Sequence, residues 1–199
     1  MSTCINCVDL HVHSYCSDGT FSPEGSVILA KKMGLQAIAL TDHDTVDGLE
    51  AFHKAGETYH LETISGIELA CRYEDYHQPE LHIVGLGFSS SHPALLSYIA
   101  DTQKQRADRN LKMSNMISTM GFPLSLTDVE RAAGGEIITR AHFAKAMLQK
   151  GYIKTSEEAF ENYIGDGKPA FVPRLLPSPK DCIDLIPRVG GAAIPAHPT

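Results

Sequence analysis

The sequence lacks the features that mark membrane proteins, secreted proteins and proteins that bind duplex nucleic acid. In its 199 residues, no apolar run approaches the ~20 residues that a helix needs to cross a bilayer. The N-terminus shows no basic stretch followed by an apolar one, so we expect no signal peptide and a cytoplasmic location. Lysine and arginine number 17 against 24 aspartates and glutamates, and the formal net charge of −7 argues against duplex DNA as a partner.

Cysteine is also scarce, with five in the chain. The odd number and the expected compartment argue against a disulfide framework. Cys4 and Cys7 form one C-x-x-C, but a structural zinc site normally needs a second ligand pair at matching spacing, which the sequence lacks. We therefore interpret these two residues as thiols that lead into the first strand.

What the sequence does contain is an alternation of strand and helix patterns. Apolar runs predict strands over residues 8–13, 36–41, 63–68, 81–88, 170–172 and 192–197. Capping and glycine signals predict helices over residues 23–33, 46–60 and 178–189. Residues 93–168 hold only helical patterns, which we interpret as an insertion. This order predicts an α/β protein with a parallel sheet or barrel.

Imidazole and carboxylate side chains collect at the ends of the predicted strands. His11 and His13 close the first strand and, as residues i and i+2, point to the same face. Further candidates at strand ends are His43, Glu68 and His197, with His82 near a strand start. One histidine beside an apolar strand is usually structural, and Glu68 alone would fit a solvated loop acid. Because several strands deliver such residues to the edge where α/β proteins hold their active sites, the pattern predicts a metal site.

Six short motifs follow one another along the chain: D-L-H-V-H at 9–13, S-D-G at 17–19, L-T-D-H-D-T at 40–45, G-I-E at 66–68, H-I-V-G-L at 82–86 and A-H-P at 196–198. Together they resemble the polymerase and histidinol phosphatase (PHP) family of metal-dependent phosphoesterases. T-R-A-H-F at 139–143 and G-D-G-K-P at 165–169 are typical of one bacterial branch. That branch removes phosphate from nucleoside 3′,5′-bisphosphates and trims short RNA from the 5′ end. The resemblance extends from about Val8 to the last residue.

The resemblance implies a distorted (β/α)7-type barrel that holds two or three divalent metal ions. Manganese, zinc and iron suit a donor set of histidine and carboxylate. The implied metal ligands are His11, His13, Asp18, His43, Glu68, His82 and His142. Glu68 would bridge two ions, and Asp9 and Asp42 would orient neighbouring histidines. His142 alone would fit a helix surface, but Arg140 two residues earlier and the family match favour the ligand role.

Two further residues are candidate catalytic groups. Asp44 is placed to protonate the leaving oxygen as a general acid, or else it caps the helix that follows. His197 resembles a residue that faces the metals or the phosphate.

Basic residues of the insertion are candidates for phosphate binding. The guanidinium of Arg140 can bind a phosphate through two N–H groups, and Lys168 can supply a point charge in a glycine-rich turn. The competing interpretation of Lys168 is a plain exposed lysine. Arg106, Arg109 and Lys112 share one helix face and could contact a second phosphate or an RNA backbone. For these three residues we favour a solvated charged face.

The resemblance divides the chain into a first barrel part over residues 1–92, a helical cap over 93–168 and a barrel continuation over 169–199. Family members continue for several strands past A-H-P, where a late D-x-H supplies one ligand to the first metal and one to the third. The sequence printed here has a D-x-H at residues 9–11 but no late one after A-H-P. The resemblance therefore implies a C-terminally truncated barrel with two metal positions short of a ligand, which leaves the activity of the 199-residue form open.

Three functions compete. The first is hydrolysis of phosphate esters of nucleotides, or of short RNA 5′ ends, by metal-activated water. The second is a non-catalytic or impaired metal-binding fragment. The third is an amidohydrolase-like C–N hydrolase, which is disfavoured because such enzymes usually bridge two metals with a lysine where this chain has Glu68. We expect a nucleotide or short oligonucleotide as substrate, and neither a membrane nor an obligate protein partner.

Overall fold

The structure is a computed structural model that describes residues 7–72, 80–134 and 137–197. The chain forms two compact units. The first unit comprises Met1–Thr102 and Leu176–Thr199, and the second unit comprises Gln103–Leu175. No helix in the described ranges has the length and apolarity to cross a bilayer.

Along the chain the described elements are β1 (Val8–Val12), α1 (Pro23–Met33), β2 (Ala37–Leu40), α2 (Leu49–Tyr59), β3 (Glu62–Cys71), β4 (Leu81–Leu86), α3 (Pro93–Thr119), α4 (Leu126–Ala133), α5 (Arg140–Gln149), α6 (Ser156–Ala159), a π-helical turn (Phe160–Ile164), α7 (Pro179–Arg188) and β5 (Ala192–Pro195). The helix starts follow local capping chemistry. Ser22 accepts a hydrogen bond from the backbone N–H of Gly25, and Pro23 occupies the first position of α1. Ser125 and Asp128 form a capping box at the start of α4.

The five strands of the first unit form one sheet in chain order, β1-β2-β3-β4-β5. The β1–β2 and β2–β3 pairs are parallel, as predicted, but β4 runs antiparallel to both of its neighbours. The predicted parallel arrangement therefore holds for the first three strands and is wrong for the pairs that β4 forms. Only residues 72–80 join β3 to β4, and such a short connection cannot make the crossover that a parallel pair needs.

The reversal of β4 places the candidate residues at one edge of the sheet. Because β4 is antiparallel to β3, His82 near its start lies at the edge where β1, β2 and β3 end. β5 reverses direction once more, so His197 just beyond it returns to the same edge. We call this the carboxyl edge of the sheet. Because β4 runs in the opposite direction to the other strands, its start lies at this edge together with their ends. This explains why His82 lies near the start of its strand and the other candidates lie at strand ends.

Each unit has its own apolar core. In the first unit, β2 and β3 contribute the fully buried Leu40, Ile67 and Leu69, against which Phe52 of α2 and Ile186 of α7 pack. The largest buried side chains of the second unit are Met113, Ile117, Leu124, Phe143, Met147 and Ile164. β2 is buried along its whole length, in agreement with its unbroken apolar run.

Two predictions about local structure are wrong. Residues 170–172 do not form a strand. The N–H of Ala170 donates to the carbonyl of Tyr163 at 2.8 Å, which ties this segment to the π-helical turn within the second unit. Cys7 is disulfide-bonded rather than a thiol, whereas Cys16, Cys71 and Cys182 are free. Cys4 lies outside the described residues.

Candidate metal centre

The centre of the candidate site is the carboxylate of Glu68 on β3. Its side chain is only 1% exposed, and burial of a carboxylate without partners is costly. Ile67 and Leu69 flank it in the strand and belong to the apolar core of the first unit. Since successive side chains of a strand point to opposite faces, Glu68 points away from that core. Its polar partners lie at the carboxyl edge of the sheet.

Five histidines from four segments of the chain surround this carboxylate. Its Oε2 lies 2.9 Å from Nε2 of His11, 3.0 Å from Nε2 of His13 and 3.5 Å from Nδ1 of His43. Its Oε1 lies 2.8 Å from Nδ1 of His82 and 3.0 Å from Nε2 of His197. The structure thus brings together six candidate residues from the sequence, with the five histidines placed around Glu68.

Asp18 extends the cluster on the side of His13 and His43. Its Oδ1 lies 3.5 Å from Nδ1 of His13, and its Oδ2 lies 3.6 Å from Nε2 of His43. The two imidazole rings stack with their centroids 4.6 Å apart. Asp18 is 61% exposed, in contrast to the buried Glu68, so this side of the cluster faces solvent.

The donor set fits divalent cations. Three overlapping groups bring one ligand atom from each member within 4.8 Å of the others: His11, Glu68 and His197; His13, Asp18 and His43; His43, Glu68 and His82. Imidazole nitrogen and carboxylate oxygen are the ligands that manganese, zinc and iron accept in proteins. Because Glu68 and His43 each belong to two groups, neighbouring cations would share ligands.

The electrostatics of the cluster favour an ionised Glu68. Burial acts to raise the pKa of Glu68, but hydrogen bonds with His13, His82 and His11 outweigh it and hold this pKa far below the usual range. The partnership with Glu68 and then Glu80 raises the pKa of His82 to about 9. Burial lowers the pKa of His43, which has His13 and His82 as neighbours. An ionised carboxylate beside several imidazoles is the kind of donor set that a divalent cation binds.

Asp42 supports the cluster through two serines that were not among the predicted site residues. Its carboxylate accepts hydrogen bonds from the backbone N–H of Ser14 at 2.7 Å, from Ser14 Oγ at 2.6 Å and from Ser17 Oγ at 2.6 Å. These bonds fix the loop that carries Asp18. Asp9 is exposed and accepts one hydrogen bond, from the backbone N–H of His11 at 3.2 Å. The S-D-G motif was the available signal for the role of Ser17.

Asp44 and His197 have unusual backbone conformations. Among the described residues they are two of the three non-glycine residues with positive φ, at +51° and +26°. The backbone N–H of Asp44 donates to the carbonyl of Glu68 at 3.0 Å, and its Oδ1 accepts from Ala70 N–H at 3.4 Å. The side chain is 2% exposed. It does not cap α2, whose N-cap is Gly48, so that alternative is wrong.

The second unit contains the remaining predicted site residues. Arg140 donates to Asp166 at 2.6 Å, and its guanidinium lies 5.4 Å from the ring centroid of Phe171. His142 follows in the same helix, where its Nδ1 accepts a hydrogen bond from the backbone N–H of Thr139. Asp166 and Phe171 thus both lie against the guanidinium of Arg140.

The other basic residues of the second unit differ in exposure. Lys168 is exposed in a turn, and Arg106 is half-buried. Arg109 is 7% exposed and donates from Nε to the carbonyl of Val172 at 3.3 Å. A solvated face is therefore wrong for Arg109, although it fits the exposed Lys112.

Comparison with protein families matches residues 9–163 to the family described as PHP domain. Curated relatives include the 5′-3′ exoribonuclease of Haemophilus influenzae, 35% identical over 190 residues, and the 5′-3′ exoribonuclease Rnm of Escherichia coli, 32% identical over 194 residues. The 3′,5′-nucleoside bisphosphate phosphatase of Chromobacterium violaceum is 30% identical over 192 residues. Each alignment covers 96% of this chain but only 68%, 64% and 66% of these relatives in turn, so the chain spans about two thirds of their length.

Two solved structures resemble the chain closely. One is of a protein described as an amidohydrolase from Chromobacterium violaceum with bound sulfate, with a TM-score of 0.78 and 30% identity. The other is of a proposed metal-dependent phosphoesterase from Bifidobacterium adolescentis, with a TM-score of 0.79 and 29% identity. Both cover 96% of this chain, and the chain covers 66% and 67% of them, respectively.

Proposed function

Because this chain belongs to the PHP domain family, we propose that it is a metal-dependent phosphoesterase. Its proposed substrates are nucleoside 3′,5′-bisphosphates or the 5′ ends of short RNA. Two curated relatives, named as an exoribonuclease and a bisphosphate phosphatase, support this choice of substrate. The observation that carries the proposal is the buried Glu68 carboxylate with five imidazole rings around it.

The proposed metal ligands are the residues of the cluster: His11, His13, Asp18, His43, Glu68, His82 and His197. Divalent cations at such a site lower the pKa of bound water and neutralise charge on phosphoryl oxygens. The chain's own part is to hold the donors. Glu68 remains ionised because its histidine partners lower its pKa, and its two oxygens face different histidines. This geometry supports Glu68 as a ligand shared by two cations.

Other residues are proposed for roles around the phosphate. Arg140 and Lys168 would bind a phosphate group of the substrate, and the Asp166 and Phe171 contacts support Arg140 as an oriented fork. His142 stays a predicted metal ligand on the strength of the family resemblance. Asp44 is the proposed proton donor to the leaving oxygen, although its buried side chain contacts the β3 backbone.

Metal-dependent phosphate release tests the proposal. The chain is stripped with a chelator, reloaded separately with manganese, zinc or iron, and assayed on 3′-phosphoadenosine 5′-phosphate and on a 5′-phosphorylated trinucleotide. We expect release with at least one metal and a loss of roughly 100-fold or more in Glu68→Ala and His11→Ala. His60→Asn is the control, because His60 is an exposed residue with a left-handed backbone that asparagine tolerates. No release with any of the three metals contradicts the proposal for this chain.

One observation favours a second candidate function. The protein described as an amidohydrolase is as similar in fold as the proposed phosphoesterase. C–N bond hydrolysis would use the same donor cluster. Hydrolysis of amides or cyclic ureas by the metal-loaded chain, without phosphate release, would establish this candidate. Tight metal binding without either activity would establish the impaired metal-binding form.

A further inference from the structure

A carboxylate outside the cluster contacts one of its histidines. Nδ1 of His82 faces Glu68 at 2.8 Å, whereas Nε2 of the same ring lies 3.5 Å from Oε1 of Glu80. The two ring nitrogens therefore face two different carboxylates. An imidazole binds a cation through a nitrogen that carries no proton. A carboxylate near Nε2 favours the tautomer with its proton on that nitrogen, which leaves Nδ1 directed to the cluster.

The strand register explains how Glu80 reaches His82. The two residues are two positions apart, so their side chains extend to the same face. The β3–β4 ladder ends with Cys71 opposite Leu81, and Arg72 and Glu80 are the residues that directly follow and precede this last pair. Nη2 of Arg72 lies 3.6 Å from Oε2 of Glu80. Arg72, Glu80 and His82 thus form a row that leads to Glu68.

Arg72 is anchored independently of this row. Its backbone N–H donates to the carbonyl of Pro177 at 2.9 Å. Its side chain is 19% exposed, and its Nε is buried without a hydrogen-bond partner in the part of the chain that the structure describes. The guanidinium therefore contacts Glu80 from a backbone position that the hydrogen bond to Pro177 fixes.

We propose that Glu80 is a positioning residue that orients the ring of His82 toward a divalent cation, and that Arg72 holds Glu80 in place. The inference rests on the proposed function, since it requires a cation at His82. Carboxylates behind a metal-binding histidine fix the orientation of its ring and raise its basicity as a ligand. Their removal typically weakens metal affinity 10–100-fold.

Glu80→Gln tests the inference, because it removes the charge and retains the size of the side chain. The whole chain is titrated with Zn²⁺ in competition with a chromogenic chelator, so that affinity is measured without any substrate. We expect one bound ion to be held about 10–100-fold more weakly, with an unchanged circular dichroism spectrum. Glu62→Gln is the matched control, since Glu62 is an exposed glutamate at the start of β3.

The part of Arg72 is tested by a double-mutant cycle. Arg72→Met alone should weaken Zn²⁺ binding less than Glu80→Gln does, and it should add nothing in the Glu80→Gln background, because Arg72 acts through Glu80. Wild-type affinity in Glu80→Gln overturns the inference and leaves the proposed function intact. A wild-type chain that binds no cation overturns both, and additive effects of the two substitutions overturn the role of Arg72.

Discussion

His11 and Glu68 lie 57 positions apart in the chain, yet Nε2 of His11 lies 2.9 Å from Oε2 of Glu68. β2 lies between the strands that carry them, so their approach depends on the spacing and register of three parallel strands. A one-residue slip of β3 would turn Glu68 to the opposite face. The candidate site is therefore as sensitive to packing between strands as to its own side chains.

Gly66 lies where β3 passes close to the end of β2. A Cβ atom there would lie 2.5 Å from the carbonyl oxygen of Leu40 and 2.6 Å from Cγ2 of Thr41. We expect Gly66→Ala to force β3 away from β2 and to lower the free energy of unfolding by roughly 1–3 kcal/mol. Urea unfolding at neutral pH measures the loss. Wild-type stability in this variant would show that the two strands can separate without cost.

Replacement of aspartate by asparagine should affect stability differently at Asp42 and at Asp9. Asp42 accepts three hydrogen bonds from Ser14 and Ser17, and an asparagine amide has only one oxygen with which to accept them. Asp42→Asn should therefore cost about 1–3 kcal/mol and lower the melting temperature. Asp9→Asn should change stability by less than about 0.5 kcal/mol, because Asp9 is exposed and an amide oxygen can still accept from His11 N–H. Equal effects would contradict the contrast between the two sites.

Strand ends and alternation in the sequence point to one group of histidines together with Glu68, because both features follow from local pattern, whereas Asp18 and His142 enter only through the family resemblance. The direction of β4 does not follow from the sequence, because an apolar pattern does not show whether a strand pairs parallel or antiparallel to its neighbour. On a parallel sheet, His82 would lie at the opposite edge from the other candidate residues. The serines that bind Asp42 were missed for a similar reason: their hydroxyls point to a residue on another strand, and only tertiary structure defines that contact.

His53 illustrates the same limit and leads to a prediction about pH. Its ring lies between α2 and β3, with Nδ1 2.9 Å from Thr63 Oγ1 and Nε2 2.8 Å from Ser65 Oγ, and these contacts join residues 10 and 12 positions apart in the chain. Burial lowers the pKa of His53 below its ordinary value of 6.5. As pH falls below 6.5, the unfolded chain takes up a proton that the folded chain does not, so His53 makes stability decrease toward acid.

His53→Gln should weaken this acid-side loss. Urea unfolding at pH 5 and pH 7.5 gives the difference in stability for each variant, and we expect a smaller difference in His53→Gln than in the wild type. His60→Asn serves as the control, because it removes an exposed imidazole at the end of the same helix. An unchanged pH difference in His53→Gln would mean that the burial of its ring does not affect its protonation.

Arg140 offers a test of phosphate binding that is independent of stability. Its ion pair with Asp166 is largely exposed, so Arg140→Lys should change the free energy of unfolding by less than about 1 kcal/mol. A lysine retains the charge but loses the planar fork and the stacking on Phe171. We therefore expect KM for 3′-phosphoadenosine 5′-phosphate to rise roughly tenfold, since the loss of a bidentate charge-assisted contact is worth about 1.4 kcal/mol. Arg131→Lys, at a 73% exposed arginine of the same unit, is the control. If both variants leave KM unchanged, Arg140 does not bind the phosphate, and its contacts with Asp166 and Phe171 serve the packing of the second unit.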